Sequence, residues 1–318
     1  MAKKKKENDI VTDGSRAITK FHVSDVVMVV ILVILCATCV VPFIHLLAKS
    51  VSSNTAVLAK RVSFWPIGFN LDAYTSIFED GSMVRSFLYS VIVTLVFTLM
   101  GMIACTCAAY PLSRKRLKGR TFFTFILMFP MYFSAGLIPT YLLYSDLHML
   151  DNVWVLILPL IYAPYNMLIM KTYFQSNIPD SLEEAAFLDG ATNFQIIWKI
   201  VLPLSKPILA TLSLFYAVGR WNSYADNKYY IRSEGLKMVQ YKLSQLVSSA
   251  SEAQTAQLSG EVVVTSTPEV LQAACIMFVT IPIICVYPFL QKYFVKGVMI
   301  GAVKGCLGLK KILLQIVT

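Results

Sequence analysis

Charged residues are scarce in this chain, and long apolar runs take their place. Only 14% of its 318 residues are charged, whereas 57% are hydrophobic and the mean hydropathy is +0.65. Soluble globular domains carry about 25% charged residues, so this composition excludes that class. We therefore expect a polytopic membrane protein whose apolar side chains contact lipid.

The residues that most enzymes and nucleotide-binding proteins need are also rare. The three histidines, His22, His45 and His148, are scattered, and no Ser, Cys or carboxylate accompanies them at catalytic spacing. No Gly-x-x-x-x-Gly-Lys-Ser/Thr loop is present, so the chain cannot hold the phosphates of ATP by that motif. An intramembrane enzyme is thus the weaker alternative, and we expect neither a metal nor a cofactor in this chain.

The seven cysteines do not form the pattern of a metal or redox site. Cys36 and Cys39, and likewise Cys105 and Cys107, have no second pair or neighbouring His that would complete a set of zinc ligands. All except Cys306 lie within long apolar runs. Since free cysteine in such surroundings behaves as a small apolar side chain, we predict structural roles.

Six apolar runs have the length of about 20 residues that a helix needs to cross a bilayer. The predicted spans are Val26–Ala48, Ser86–Leu112, Phe122–Tyr144, Val153–Phe174, Ile208–Tyr230 and Val270–Phe294. Few ionisable residues interrupt them, which disfavours an ion-coupled secondary transporter because such proteins carry charged relays in the membrane. Arg220 and Asp226, in the fifth span, are expected to face a watery vestibule or a partner chain.

Basic residues cluster at the predicted membrane edges. On one side of the six crossings lie Lys3 to Lys6, Arg114 to Arg120, and Lys292, Lys296 and Lys304. By the positive-inside rule that side is cytoplasmic. Residues 1–25 and 296–318 are then cytoplasmic tails of a membrane domain over 26–295. The net charge of +10 therefore reflects membrane topology rather than nucleic-acid binding, since no RNA-binding motif accompanies it.

A spaced motif lies between the fourth and fifth spans. Glu184-Ala185-Ala186 is followed after three residues by Gly190, and after nine more by Ile200-Val201-Leu202-Pro203. This segment resembles the cytoplasmic EAA loop of ABC-importer permeases, with a match at every fixed position. The resemblance implies that residues 177–206 couple to a separate ATPase through a short helix. The implied coupling residues are Glu183, Glu184, Ala185, Ala186, Asp189, Gly190, Ile200, Leu202 and Pro203.

The local sequence of this loop predicts a helix, a sharp turn and a second helix. Ser181 with Glu184 reads as a capping box, and Thr192 with Gln195 reads as another. Gly190 suits the left-handed conformation that ends a helix. The spacing of three apolar residues, Leu182, Ala185 and Ala186, places them on one face that a partner can approach closely.

An amphipathic helix on the membrane surface is the alternative for this segment. Such a helix carries Lys and Arg on its polar face, because the cytoplasmic leaflet is anionic. Here the polar residues are acidic, and no basic residue occurs until Lys199. The charge favours docking onto protein.

Most of the chain, from about residue 25 to Gly305, is similar to the permeases of carbohydrate importers. The resemblance implies an all-α membrane protein with six transmembrane helices, the type I ABC-importer permease fold and a cytoplasmic coupling helix. It also implies four kinds of partner: a homologous permease in a heterodimer, two ABC ATPase subunits that use ATP and Mg, an extracellular solute-binding lipoprotein, and an oligosaccharide. A permease for another solute class is the alternative.

Sugar contacts are sought among polar and aromatic residues at membrane depth. Aromatic rings stack on sugars and amides bond hydroxyls, so the candidates are Trp221, Asn222, Tyr224, Tyr165 and Asn166. Anchoring at the interface or helix packing is the alternative for each.

The outer segment Arg232–Glu269 is expected to meet the binding protein, with a passive linker as its alternative.

Overall fold

The computed structural model describes residues 23–258 and 269–285, and all regular structure in those ranges is helical. The helices of the first half are α1 (Val23–Ser50), α2 (Asn54–Leu58), α3 (Asp72–Asp80), α4 (Ser82–Ser113), α5 (Arg120–Met128), α6 (Leu137–Asp146), α7 (Leu158–Ile161) and α8 (Pro164–Asn177). The others are α9 (Asp180–Leu188), α10 (Asn193–Ile196), α11 (Leu202–Leu204), α12 (Lys206–Asn222), α13 (Ala225–Tyr230), α14 (Val239–Leu258) and α15 (Glu269–Cys285).

Two of these helices, α1 and α4, are by themselves long and apolar enough to cross a membrane. Two bent helix pairs are also apolar enough by composition: Val153–Ile161 meets α8 at 44°, and Asn193–Leu204, which belongs to the predicted coupling loop, meets α12 at 84°. The first bend has a local cause, because Ala163 precedes Pro164 and takes an extended conformation. These helices correspond to four of the predicted spans.

The third and fifth spans differ from their predicted bounds. The third is broken, since Pro130 lies in a 3₁₀ turn after α5 and Gly136 has a φ of +86° before α6 begins. The fifth ends at Asn222, eight residues before Tyr230, because Ser223 is extended and a separate helix follows. The sixth is described to Cys285 only, and the rest of it lies outside the described residues.

The core forms where α4 packs along both α8 and α12. A Cβ atom at Gly101 in α4 would lie 2.7 Å from the ring of Tyr216 in α12, so this glycine permits a close approach of the two helices. Met170 and Phe174 of α8 are fully buried on the other side. We call the end of this bundle where α4 meets α9 the coupling end, and the other the opposite end.

A buried polar network fixes the opposite end. Arg220 is 2% exposed, donates to the carbonyl of Leu156 at 2.8 Å and pairs with Asp226 at 3.2 Å. Asn227 donates to the carbonyl of Leu236 and accepts from the backbone of Met238. Arg220 is therefore buried and does not face the expected watery vestibule, because it pairs with Asp226 of α13 within the chain; a contact of the partly exposed Asp226 with a partner chain stays a prediction.

Within the segment Arg232–Glu269, helix α14 starts packed against the bundle. Val239, the first residue of α14, is fully buried and its N–H donates to Ser90 of α4 at 2.8 Å. Leu243 and Leu246 pack on the same cluster, whereas Ser248 is exposed. The passive-linker interpretation fails for this first half of α14.

In contrast, α1 makes few contacts within the chain. Its apolar residues from Val26 to Val41 are exposed. Among the described residues, α1 makes its contacts through its last two turns, where His45 bonds the carbonyl of Ser63 and the buried Ala48 and Ser50 lie beside Ala56 and Val57 of α2. The long apolar surface of α1 is therefore available to lipid or another chain.

Candidate coupling surface and solute pathway

The coupling loop has the predicted order of helix, sharp turn and helix. Gly190 follows α9 with a φ of +79°, and its N–H donates to the carbonyl of Phe187 at 3.0 Å. This confirms the left-handed turn. No atom lies within 4 Å of a Cβ built on Gly190, so the backbone conformation alone selects glycine.

One of the two predicted capping boxes is present. Thr192 accepts from the N–H of Gln195 at 3.3 Å, and the Gln195 side chain accepts from the N–H of Thr192 at 2.9 Å. The box predicted for Ser181 and Glu184 is wrong, because α9 starts at Asp180, two residues before the start that a cap at Ser181 requires, and its N-cap residue Pro179 has no side-chain cap. Glu184 is thus free of a capping role.

The two faces of α9 are divided differently from the prediction. Glu183 and Ala186 face inward and are 4% and 7% exposed. The outward face carries Leu182, Glu184, Ala185, Leu188 and Asp189, and Leu188 is 90% exposed. The predicted face of Leu182, Ala185 and Ala186 is therefore split, with two of its members outside and Ala186 inside.

Arg114 holds the inner face of α9 to the end of α4. The guanidinium, in a residue only 3% exposed, forms an ion pair with Glu183 at 2.8 Å and another with Asp180 at 3.3 Å. It also donates to the carbonyl of Ile178 at 3.1 Å. From the sequence, Arg114 is one of several charges predicted to be cytoplasmic. The available signal is that the acidic residues Asp180 and Glu183 are predicted on the same side of the membrane.

A second arginine adds a contact on the solvent side. Arg116 is half exposed, stacks over the ring of Phe187 at 4.6 Å and donates to Asn193 at 2.9 Å. Arg116 therefore joins α9 to α10, across the Gly190 turn.

The second half of the motif forms the connection to α12. Residues Ile197–Val201 form a π turn, and Pro203 lacks the N–H that would bond the carbonyl of Lys199. Ile200 and Leu202 are half-buried, and Pro203 is exposed. The chain then bends by 84° at Ser205, the residue before α12 begins.

The residues predicted to contact sugar lie in different parts of the structure. Trp221 and Asn222 line a cavity of about 250 Å³ between α4, α12 and α15. The Trp221 ring meets Phe87 edge to face at 5.5 Å. Tyr224 and Tyr165 are exposed elsewhere, and Asn166 is buried in the core. The cavity is smaller than the roughly 300–1,000 Å³ of sites for drug-sized ligands, so this chain alone does not enclose an oligosaccharide there.

No group of three or more potential metal ligands occurs in the ranges that the structure describes. Six cysteines there are free thiols, and Cys306 lies outside those ranges.

The chain matches known proteins over most of its length. Residues 98–300 match the family described as "Binding-protein-dependent transport system inner membrane component". A Bacillus subtilis polygalacturonan/rhamnogalacturonan transport system permease protein is 42% identical over 270 residues, covering 84% of this chain and 93% of that protein. An arabinooligosaccharide permease of the same organism is 27% identical, with 83% and 90% covered.

A solved structure shows the same fold. It is a bacterial ABC transporter involved in the import of the acidic polysaccharide alginate, with a TM-score of 0.79 and 34% identity. The match covers 86% of this chain and 99% of that one.

Fold and loop together define a helical permease of the type I ABC-importer class. The chain belongs to the family of inner-membrane components of binding-protein-dependent transport systems. The resemblance read from the EAA loop is confirmed, and members of this family are transport components rather than enzymes.

Proposed function

We propose that this chain is one of two homologous permeases in an ATP-driven importer of oligosaccharides. The outward face of α9 carries this proposal, because it exposes Leu182, Leu188 and Glu184 on a helix that the Arg114 ion pairs fix to the membrane bundle. An apolar patch with a charge beside it fits the groove of a protein partner. That partner is an ABC ATPase, which supplies the ATP and Mg chemistry.

The coupling end faces the cytosol in this proposal. Arg114, Lys115, Arg116 and Lys118 all lie there, as the positive-inside rule requires. Both termini are then cytoplasmic. The opposite end, with α14, faces the extracellular binding protein.

The second permease completes the pathway. Because the cavity beside Trp221 and Asn222 is too small for an oligosaccharide, a homologous chain must supply the remaining wall of the pore. The exposed apolar surface of α1 gives that chain, or lipid, a place to pack.

Carboxylated sugars are the first substrates to test. The relative at 42% identity is named as a permease of a polygalacturonan/rhamnogalacturonan transport system, and the one at 34% belongs to a transporter involved in the import of alginate. Polygalacturonan and alginate are both built from uronic acids. The 27% identical relative transports arabinooligosaccharides, which carry no carboxylates.

Uptake in a deletion strain tests the proposal. Cells lacking this chain are complemented with it and supplied with labelled oligogalacturonides, alginate oligomers or arabinooligosaccharides. We expect uptake of at least one oligosaccharide to depend on the chain and on an ATPase that copurifies with it. Restored uptake of an amino acid or ion, with none of any sugar, would assign another solute class.

A further inference from the structure

A basic groove lies beside α5 and α8, outside the coupling loop and the Trp221 cavity. Its volume is about 520 Å³, and it is lined by Arg120, Thr121, Thr124, Phe125, Met128, Phe129, Tyr132 and Lys171. Two cations and no carboxylate line it. The groove therefore attracts anions.

Neither cation is neutralised by a carboxylate within the described chain. Lys171 donates to the hydroxyl of Thr124 at 3.1 Å, and Thr124 donates to the carbonyl of Arg120 at 2.8 Å. No ion pair between described residues includes Arg120 or Lys171. An ammonium group has three donors, so Lys171 can bind a further acceptor.

The groove runs from the coupling end toward the middle of the membrane. Arg120 is the first residue of α5, and Tyr132 lies twelve positions later, a rise of about 18 Å at helical pitch. Lys171 lies six residues before the end of α8, which is about 9 Å. With a hydrocarbon core of about 30 Å, the cations lie near the headgroup level and the far wall reaches the acyl chains.

The wall favours acyl chains over sugar. Phe125, Met128 and Phe129 form its middle, and both phenylalanines are exposed. A sugar at this depth would need several hydrogen-bond partners for its hydroxyls. Among the lining side chains only Thr121 and Tyr132 offer hydroxyls outside the pair of Thr124 with Lys171.

We propose that this groove binds an anionic phospholipid of the cytoplasmic leaflet. Arg120 and Lys171 hold the phosphate, and one acyl chain lies along Phe125 and Phe129. Basic pockets between membrane helices on the cytoplasmic side suit such headgroups. The proposal rests on the orientation proposed above, in which the coupling end faces the cytosol.

Native mass spectrometry of the purified complex tests the groove directly. The chain, with its copurifying subunits, is incubated with equal amounts of phosphatidylglycerol and phosphatidylcholine, and bound lipids are counted. The test variant combines Arg120→Gln and Lys171→Gln, and the control combines Lys115→Gln and Lys118→Gln at the same membrane edge. At about 1 kcal/mol per cation, the test variant should bind phosphatidylglycerol at least about tenfold more weakly, and the control should not.

Charge-preserving variants keep the test valid if the neutral variant assembles poorly. Arg120→Lys with Lys171→Arg should retain the preference for phosphatidylglycerol. Equal lipid retention by the neutral and control variants would overturn the proposal. So would unchanged lipid binding with selective loss of oligogalacturonide uptake, which would make the groove a sugar site. Bound lipids are counted without any transport assay. The lipid result can therefore be interpreted even if the proposed importer function is wrong.

Discussion

Glu183 and Glu184 are neighbours in the sequence but have opposite environments in α9. Glu183 is 4% exposed and paired with Arg114, whereas Glu184 is exposed and has no capping role. Breaking a buried ion pair leaves an uncompensated charge, which typically destabilises by about 3–5 kcal/mol. Glu183 therefore anchors the helix within the chain, and Glu184 is the carboxylate available to an ATPase.

Replacing Arg114 with Gln should uncouple transport from ATP hydrolysis. Without the guanidinium, Glu183 keeps only the 4.0 Å contact of Arg116 and α9 loses its ion pairs to the end of α4, so ATPase movement no longer reaches the membrane bundle. We expect uptake to fall at least tenfold while ATPase activity persists in the purified complex. Arg116→Gln is the matched control, because Arg116 is half exposed and lies 4.0 Å from Glu183. Equal loss in both variants would contradict a special role for Arg114.

Gly190→Val should impair coupling through backbone strain alone. A β-branched residue at a φ of +79° costs roughly 1–2 kcal/mol, while no neighbouring atom opposes the side chain. Uptake should fall with membrane abundance unchanged. Gly190→Asn should retain most activity, since Asn is among the non-glycine residues that best tolerate a positive φ.

Glu184→Lys should also lower uptake, because it reverses the charge on the exposed face of α9. Normal uptake in both Gly190→Val and Glu184→Lys would remove the coupling assignment.

Asn222→Ala should raise the substrate concentration needed for half-maximal uptake severalfold. Losing one hydrogen bond to a neutral hydroxyl costs about 0.5–1.5 kcal/mol. Trp221 packs on Phe87, so its replacement also disturbs helix packing and is the less direct test. Asn227→Ala is the contrast, because Asn227 bonds only backbone groups in the described chain and should lower thermal stability instead. An unchanged half-saturation value in Asn222→Ala would assign that residue to structure.

At the scale of elements, α14 is anchored at its first turns. Val239, Leu243 and Leu246 pack on the membrane bundle, whereas Gln245, Ser248 and Ser249 are exposed. A helix that is anchored at one end can present its other end to a protein outside the membrane. This geometry agrees with a contact to the binding protein.

Shortening the chain between Ser248 and Ser259 should reduce the stimulation of ATPase activity by the loaded binding protein. The deletion leaves the packed residues in place, so assembly should persist. Leu243→Ala is the control: it removes buried apolar surface and should lower the melting temperature with little effect on stimulation. If stimulation and uptake are both normal in the shortened chain, the segment from Ser248 to Ser259 is only a tether.

At the scale of the whole molecule, α1 stands apart from the helix bundle that the structure describes. Its apolar residues from Val26 to Val41 are exposed there, and its contacts with described residues begin at His45. Patches of this size usually mark contacts with lipid or another protein. The importer we propose has a homologous permease available for that contact.

Cross-linking tests this contact with native residues. Cys36 and Cys39 are exposed on α1. A short thiol-to-amine or thiol-to-thiol cross-linker should join them to the second permease in membranes, and Cys36→Ser with Cys39→Ser should abolish the product. Cys107, exposed on α4, gives the comparison for general reactivity. Labelling of α1 by lipid-soluble reagent, with no joined product, would place it in lipid.

The sequence by itself determined the class of this protein and the local structure of its coupling loop. The length of the apolar runs predicts membrane helices, and the spacing of the motif from Glu184 to Pro203 identifies the coupling loop. Gly190 and the box of Thr192 with Gln195 act within a few residues, so their conformations follow from local chemistry.

Tertiary structure decided which charges are buried and where helices break. Glu183 and Glu184 look alike in sequence, and only the approach of Arg114 across 69 positions separates them. Arg220 likewise satisfies its charge through Asp226 and the distant carbonyl of Leu156. Such pairings depend on how α4, α8 and α12 pack, which no local pattern encodes.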